Sequence, residues 1–371
     1  MARIAILTSV HRPFDTRIFQ KEARSLAAAG HEVVLVAPHD REETRDGVRI
    51  IPIAQAPGRL GRMLLSPLRL LRQVSRLRPD VCHFHDPELI PLGIAISMMG
   101  PRVVYDVHEN VPKDILAKAY LPAWIRPMVA SMVGFLQRTG SRAFAMVVVA
   151  REDLQDTFRG HRNILLIRNF PMLAMFGDRP PSNAPEDHFQ LVYAGGLTPI
   201  RGVGEMIAAL AEVPAEHEAR LAIYGRFSPS GFEQEIRALP AFRLVDYHGE
   251  VPYEQLPTGL AQAHAGVVCF LPVPNNVNSG PTKLFEYMAS GLPVVASAFP
   301  LWREVIEGSD CGICVDPTDP SAIARAYDAL ARDPAGRARM GQNGIRAVQE
   351  RYNWEAEAVR LVSAYEGLLA G

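Results

Sequence analysis

Short apolar runs alternate with amphipathic stretches along almost the whole chain. The Val-, Ile- and Leu-rich runs predict strands at residues 3–8, 33–37, 81–84, 103–107, 146–149, 164–167, 191–194, 221–224, 243–247, 266–271 and 294–297. Between them, apolar residues at helical spacing predict helices, including 203–210, 234–239, 253–263, 283–289 and a helical end from about 321. Continuous apolar strands are covered on both faces, so the pattern predicts an α/β fold with parallel sheets.

The alternation stops once, near the middle of the chain. Residues 171–187 are rich in proline and polar residues and show no period, which predicts an interdomain linker. We therefore predict a first domain at 1–170, a second at 188–351 and a C-terminal helix at 352–371. The expected architecture is two Rossmann-like, doubly wound domains that face a central cleft, with ligands at the carboxyl ends of the strands.

The composition narrows the class of protein. Hydrophobic residues make up 48% of the 371 residues and charged residues 21%, which is typical of globular proteins. A net charge of −1 argues against a nucleic-acid partner. Four cysteines are too few for a disulfide scaffold, and no signal peptide or membrane span is evident, so a cytoplasmic location is expected.

Polar residues follow the predicted strands of the first domain. The first turn, TSVHRPFDTR, lacks the glycines of a dinucleotide fingerprint, and places Asp15 and Arg17 at the ligand-facing edge. The alternative is that Asp15 is a helix cap and Arg17 a surface charge. HFHDPELIP and YDVHENVP add Asp86, His108 and Glu109 at the same edge.

The histidines of these segments permit two hypotheses. His108 could hydrogen-bond a sugar hydroxyl or a developing charge, or it could be structural. A metal site built from His83, His85, Asp86 and His108 is weakly supported, because no HExxH is present and alternate strand residues are expected to face opposite ways. We predict no metal.

Two glycine-containing turns of the second domain are suited to phosphate. In YAGGLTPIRGVGEMI, Gly196 and its neighbours permit close approach of a ligand, and Arg201 adds a cation near a helix start. In NVNSGPTKLFEYMASGLPVVAS, Lys283 opens a helix and Glu286 lies one turn further on, as a ribose-binding carboxylate or a solvated helix-face charge. The remaining predicted ligand-binding residues of this domain are Arg226, Asn278, Ser279, Gly280 and Thr282.

These motifs, in this order, resemble the GT-B-fold glycosyltransferases of family 4. The resemblance runs from SVHRPFDTRIFQKEARSLAAAGHEV to PTKLFEYMASGLPVVAS. It implies retaining transfer of a sugar from a nucleoside diphosphate sugar to an acceptor hydroxyl, as in envelope or exopolysaccharide biosynthesis. It also implies that Arg201 binds diphosphate, Glu286 binds ribose, His108 contacts the sugar and the C-terminal helix returns to the first domain.

Two positions depart from the family pattern. Asn278 stands where the first glutamate of the E-x7-E motif is expected, and Gly196 stands where an arginine is common, a lost cation for which Lys283 could compensate. No Asp-x-Asp occurs, so cations and helix termini, rather than a metal cofactor, are expected to neutralise the diphosphate. The alternatives are a nucleotide-sugar 2-epimerase of the same fold and a non-catalytic nucleotide-sugar-binding assembly partner.

Residues 58–79 form a basic amphipathic segment. The segment holds six arginines and no acidic residue, and Ser66–Pro67 predicts a helix start. Such a helix suits an anionic membrane, which would place the protein peripherally on the inner face of the cytoplasmic membrane and favour a lipid-linked over a purely saccharide acceptor. The alternative is an ordinary helix packed on the sheet.

Overall fold

The computed structural model describes residues 1–56, 58–117, 122–177 and 184–370. They divide into two compact units: Met1–Asn169 together with the segment from Trp354 onward, and Phe170–Asn353. Of the predicted linker 171–187, residues 178–183 lie outside the described residues. Ala174–Gly177 is a helix, and its Phe176 packs in the core of the second unit.

Fourteen strands are found among the described residues. They are β1 (Arg3–Leu7), β2 (Glu32–Pro38), β3 (Glu43–Arg45), β4 (Val48–Ile53), β5 (Val81–Phe84), β6 (Arg102–Val107), β7 (Met146–Val149), β8 (Ile164–Leu166), β9 (Gln190–Ala194), β10 (Arg220–Tyr224), β11 (Val245–Gly249), β12 (Ala265–Val268), β13 (Val294–Ser297) and β14 (Gly312–Val315).

The α-helices of the described residues lie between and after these strands. They are α1 (Arg24–Ala28), α2 (Gly58–Leu77), α3 (Ile90–Ser97), α4 (Val111–Ala117), α5 (Arg126–Gly140), α6 (Glu152–Gln155), α7 (Ala174–Gly177), α8 (Val203–Leu210), α9 (Ser230–Arg237), α10 (Leu256–Leu260), α11 (Pro274–Val277), α12 (Thr282–Ala289), α13 (Pro300–Ile306), α14 (Pro320–Arg332), α15 (Pro334–Glu350) and α16 (Trp354–Ala370). None of them is both long and apolar enough to cross a bilayer.

The sheet of the first unit has the order β3-β4-β2-β1-β5-β6-β7-β8. Its pairings are parallel except that of β3 with β4, which the sequence analysis did not predict. The strand order reverses between β1 and β5, so the turns that follow these two strands border the expected ligand site.

A π-helix follows β1 and shapes this edge. It spans Thr16–Ala23 and continues into α1, and the Asp15 carboxylate caps it by accepting from the backbone N–H groups of Arg17 (2.9 Å) and Ile18 (3.0 Å). The predicted cap is thereby confirmed. The wider π turn brings residues five apart into register, here Arg17 and Glu22.

The boundary of helix α2 differs from the sequence prediction, whereas the assignment of the C-terminal helix to the first unit agrees with it. The predicted helix start at Ser66–Pro67 is wrong, because α2 begins at Gly58 and runs through Pro67. Leu, Met and Arg are strong helix formers on both sides of the proline and sustain the helix. The C-terminal helix α16 belongs to this unit, and its Trp354 indole donates to the Ser25 hydroxyl over 3.0 Å.

The second unit has a six-stranded, wholly parallel sheet in the order β11-β10-β9-β12-β13-β14. Its order reverses between β9 and β12, where the turns of the two predicted phosphate motifs lie. Large aromatic residues fill its core, among them Tyr193, Tyr287, Trp302 and Tyr327.

Candidate active site

The turn after β9 has glycine where a side chain would collide. Gly195 has φ +146°, and a Cβ there would lie 2.7 Å from Cε of Lys283. Gly202 has φ +67°, and its Cβ would lie 1.9 Å from the carbonyl oxygen of Cys269. The two glycines therefore allow this turn to pack against Lys283 and against the chain after β12.

Arg201 and Lys283 come together at one aromatic ring. The guanidinium carbon of Arg201 lies 4.2 Å from the Phe270 ring centroid, and the ammonium nitrogen of Lys283 lies 5.1 Å from the same centroid. Burial, followed by the positive charge of Arg201, lowers the pKa of Lys283 to about 8. Two like charges held this close favour an anion beside them.

Asn276, which the sequence analysis did not single out, ties the two phosphate turns together. Its buried side-chain amide donates to the carbonyl oxygens of Ile200 (2.8 Å) and Leu271 (2.9 Å). The hydroxyl of Ser279 in turn donates to the Asn276 carbonyl over 2.9 Å. An asparagine in a polar loop carries no sequence signal for this role.

Glu286 is buried, so the alternative of a solvated helix-face charge is wrong. The residue lies on α12, and its Oε1 accepts a hydrogen bond of 2.7 Å from the Tyr253 hydroxyl. Among the described residues, no group donates to Oε2. The carboxylate therefore keeps one oxygen for a ligand hydroxyl.

The other predicted nucleotide-sugar-binding residues surround this region at varying exposure. Gly280 precedes α12 and Thr282 opens it, and Pro281, at the N-cap, provides no side-chain cap. Gly196 accepts from the Tyr193 hydroxyl through its carbonyl oxygen over 3.0 Å. Arg226 and Asn278 are exposed.

Asp86 lies at the centre of the predicted acceptor side of the first unit. It is buried, and its Oδ2 accepts from the Thr8 hydroxyl (2.9 Å) and from the backbone N–H (2.5 Å) and hydroxyl (3.1 Å) of Ser9. Its Oδ1 lies 3.5 Å from Nε2 of His11. The turn after β1 is thus anchored on a carboxylate that follows β5.

His11 bridges two carboxylates at this edge. Its Nδ1 lies 3.4 Å from Oδ2 of Asp15, and its ring meets that of His108 edge-on, with centroids 5.4 Å apart. Burial opposes protonation of the imidazole, but Asp15 and Asp86 outweigh it and raise the pKa of His11. The same contact holds the pKa of Asp15 below its usual range despite burial.

Arg17 lies buried inside the first unit and not on the predicted acceptor side. Its side chain is buried, with Nη2 at 2.6 Å from Oδ2 of Asp106 and Nε at 3.0 Å from Oε1 of Glu22. Burial would raise the pKa of Asp106, but Arg17 holds it well below its usual range. Burial and the neighbouring Asp106 raise the pKa of Glu22 well above its usual range.

His108 is part-exposed and lies next to the buried network of Arg17, Asp106 and Glu22. Its Nδ1 lies 3.5 Å from Oδ1 of Asp106. Glu109, the next residue, is exposed.

The described residues include one cluster with the composition of a metal site. Candidate ligand atoms of Glu22, His83, His85 and Asp106 lie within 4.8 Å of one another. The expectation that alternation separates the histidines is wrong, because His83 and His85 are two residues apart, share a side, and stack with ring centroids 4.6 Å apart. Arg17 already supplies a cation to both carboxylates of the cluster.

Comparisons with known proteins identify the family of this chain. Residues 176–347 match the family Glycosyl transferases group 1, and residues 16–169 match the glycosyl transferase 4-like domain. A phosphatidyl-myo-inositol mannosyltransferase of Mycobacterium leprae is 26% identical over 360 residues, which are 93% of this chain and 90% of the relative.

Solved structures show the same fold. Sucrose-phosphate synthase from Thermosynechococcus elongatus has a TM-score of 0.79 at 20% identity, with 100% of both chains covered. Alr3699/HepE from Anabaena, in complex with UDP-glucose, has a TM-score of 0.74 at 13% identity, covering 99% of this chain and 100% of that one. The chain therefore belongs to the group 1 glycosyl transferases, and it is a hexosyltransferase-type enzyme with the GT-B fold.

Proposed function

We propose that the protein is a retaining, metal-independent glycosyltransferase that transfers a sugar from a nucleoside diphosphate sugar to an acceptor hydroxyl, in the synthesis of a cell-envelope glycolipid or polysaccharide. The observation that carries the proposal is the placement of Arg201 and Lys283 over the single ring of Phe270. A diphosphate would relieve the repulsion between these two cations.

The donor side derives its chemistry from charge and hydrogen bonding. As the bond between the anomeric carbon and the diphosphate oxygen breaks, negative charge grows on the leaving group, where Arg201, Lys283 and the start of α12 stabilise it. The Glu286 carboxylate would accept hydrogen bonds from the ribose hydroxyls. The acceptor oxygen forms the new bond to the anomeric carbon on the face from which the diphosphate leaves, and its proton passes to the departing phosphate. Attack on that face retains the configuration without a protein nucleophile.

On the acceptor side, the exposed Glu109 and the part-exposed His108 would bind hydroxyls, while Asp86 and Asp15 would hold His11 and the turn after β1 in place. The 26% identical relative is named for phosphatidyl-myo-inositol, a lipid acceptor, and the HepE structure contains UDP-glucose. These names support a uridine diphosphate sugar as donor and a lipid-linked acceptor. A basic helix α2 at the cytoplasmic membrane surface would serve such an acceptor.

A thermal-shift screen against UDP-, GDP- and ADP-sugars tests the donor, since a bound donor stabilises the folded state by mass action. The donor that raises the melting temperature is then incubated with the enzyme and a membrane lipid extract. We expect nucleoside diphosphate release that depends on the acceptor. Epimerised free donor, or binding without turnover, would contradict the proposal, and an inverted anomeric linkage would contradict retention.

A further inference from the structure

The outward side of helix α5 and of the turn before it is apolar. Four large side chains face solvent there: Trp124 (78% exposed), Met128 (65%), Met132 (63%) and Phe135 (64%). The spacings of four and three residues place Met128, Met132 and Phe135 on one side of α5, and Trp124 lies in the turn before it. The arrangement is inverted relative to an ordinary surface helix, whose large apolar residues face the core.

The inward side of α5 explains why the core does not use these residues. Its buried positions are Ala130, Gly134, Gln137 and Gly140. A Cβ at Gly140 would lie 2.6 Å from Cγ2 of Ile90, and the Gln137 amide donates to the Tyr105 hydroxyl over 3.0 Å. The helix is fitted closely to its unit mainly through small residues, and Met128, Met132 and Phe135 remain exposed.

The segment that carries this surface has basic residues and no acidic ones. Residues 115–151 contain no Asp or Glu, and their basic residues include Arg138 and Arg142, which are exposed at the end of α5. An apolar stripe on a segment with basic residues and no acidic one complements an anionic lipid surface. A protein partner of ordinary mixed charge would not require this bias.

Helix α2, on the same face of the sheet, also combines exposed apolar side chains with a segment that has no acidic residue. It exposes Met63, Leu64 and Leu68, and residues 47–79 contain no acidic residue. Helix α3 packs against both α2 and α5. The three connections β4–β5, β5–β6 and β6–β7 cross the sheet in one direction, so right-handed crossovers place these helices on one face.

We propose that α2 and α5 together form a surface that docks on a bilayer. Trp124, Met132 and Phe135 of this surface would insert into the lipid. The inference rests on the proposed function, which includes a lipid-linked acceptor. It extends that function, because the protein would contact the membrane through apolar side chains of α5 as well as through the charges of α2. Arginines of both helices would meet the lipid phosphates.

Trp124 provides a direct readout. The other two tryptophans of the chain, Trp302 and Trp354, are buried, so a change in emission on vesicle binding reports Trp124. With phosphatidylglycerol vesicles, we expect a blue shift and quenching by brominated acyl chains. The Met132→Ser/Phe135→Ser variant should lose vesicle partitioning by about tenfold or more, because apolar burial is lost. Val359→Ser is the matched control, since Val359 is exposed on α16, and should bind like the wild type.

Three results would overturn the docking surface. One is vesicle binding without any change in Trp124 emission, and another is equal loss of binding by Val359→Ser. The third is a wild-type dimer in light scattering that Met132→Ser/Phe135→Ser converts to a monomer, which would assign the surface to a second copy.

Transfer to a soluble acceptor, measured in parallel, tests the proposed function separately. Vesicle binding without any transfer would contradict that function but would still support the docking surface.

Discussion

The hydroxyl of Tyr253 donates a hydrogen bond to Oε1 of Glu286 over 2.7 Å. Tyr253 precedes α10 and Glu286 lies on α12, so the bond joins two segments that are far apart in sequence. Because Oε1 is occupied, the buried carboxylate is held in one orientation, with Oε2 left for a ligand. Tyr253 is therefore a positioning residue for the proposed ribose contact.

Removing either partner should weaken donor binding more than turnover. For Glu286→Gln and Tyr253→Phe, we expect KM for the donor to rise about tenfold or more with a smaller change in kcat, since the contact is made in both ground and transition states. Steady-state kinetics with varied donor checks this. Glu254→Gln is the control, because Glu254 is an exposed neighbouring carboxylate. Unchanged donor KM in both variants would exclude the ribose assignment.

The lowered pKa of Lys283 predicts a pH dependence. With a pKa of about 8 in the free enzyme, Lys283 is protonated below pH 8 and loses its charge above it. Donor kcat/KM should therefore be constant below pH 8 and fall above it, because the neutral amine no longer attracts diphosphate. Lys283→Arg keeps its charge and should abolish the fall. The same fall in Lys283→Arg would assign it to another group.

Metal independence predicts resistance to chelation. Cations of the protein and the start of α12 neutralise the leaving diphosphate in the proposed mechanism, so EDTA treatment followed by assay without added metal should leave kcat within about twofold of the untreated value. The measurement pairs this assay with metal analysis of the treated protein. Loss of activity that Mg²⁺ or Mn²⁺ restores would contradict it.

Arg17 should matter for stability. Arg17→Met leaves the buried Asp106 and Glu22 without their cation, which should cost about 3–5 kcal/mol in the free energy of unfolding. Urea unfolding measures this. Arg24→Met removes an exposed arginine paired with Asp46 at 3.4 Å and should cost less than about 1 kcal/mol. Adding Asp106→Asn to Arg17→Met should restore part of the loss; a wild-type midpoint for Arg17→Met would refute the buried-cation role.

Much of the fold follows from hydrophobic pattern alone. Apolar runs identify the central strands because both sheet faces are covered, and every predicted strand overlaps an observed one. The β3–β4 pair was missed because Glu43–Arg45 is polar and part-exposed, and Pro52 lies within β4. The π-helix after Asp15 was missed because its apolar residues also fit an ordinary helix over so few turns.

Some residues of the candidate site could be predicted from motif spacing, and others could not. Motif spacing brought out Arg201, Lys283 and Glu286, because turns and helix starts have recognisable residues. It could not find Asn276 or Tyr253, whose roles depend on contacts between distant segments. Arg17 was misplaced for the same reason: the side chain points to Asp106 on β6, 89 residues away.

The turnover of cation variants tests the central claim most directly. In Arg201→Ala and Lys283→Ala, with the cognate donor and acceptor, we expect kcat to fall by about 10²–10³, because each loses a preorganised contact to charge that grows in the transition state. Arg325→Ala, which removes an exposed arginine of the same unit, should turn over like the wild type. Wild-type kcat in both Arg201→Ala and Lys283→Ala would contradict the placement of the diphosphate between these cations.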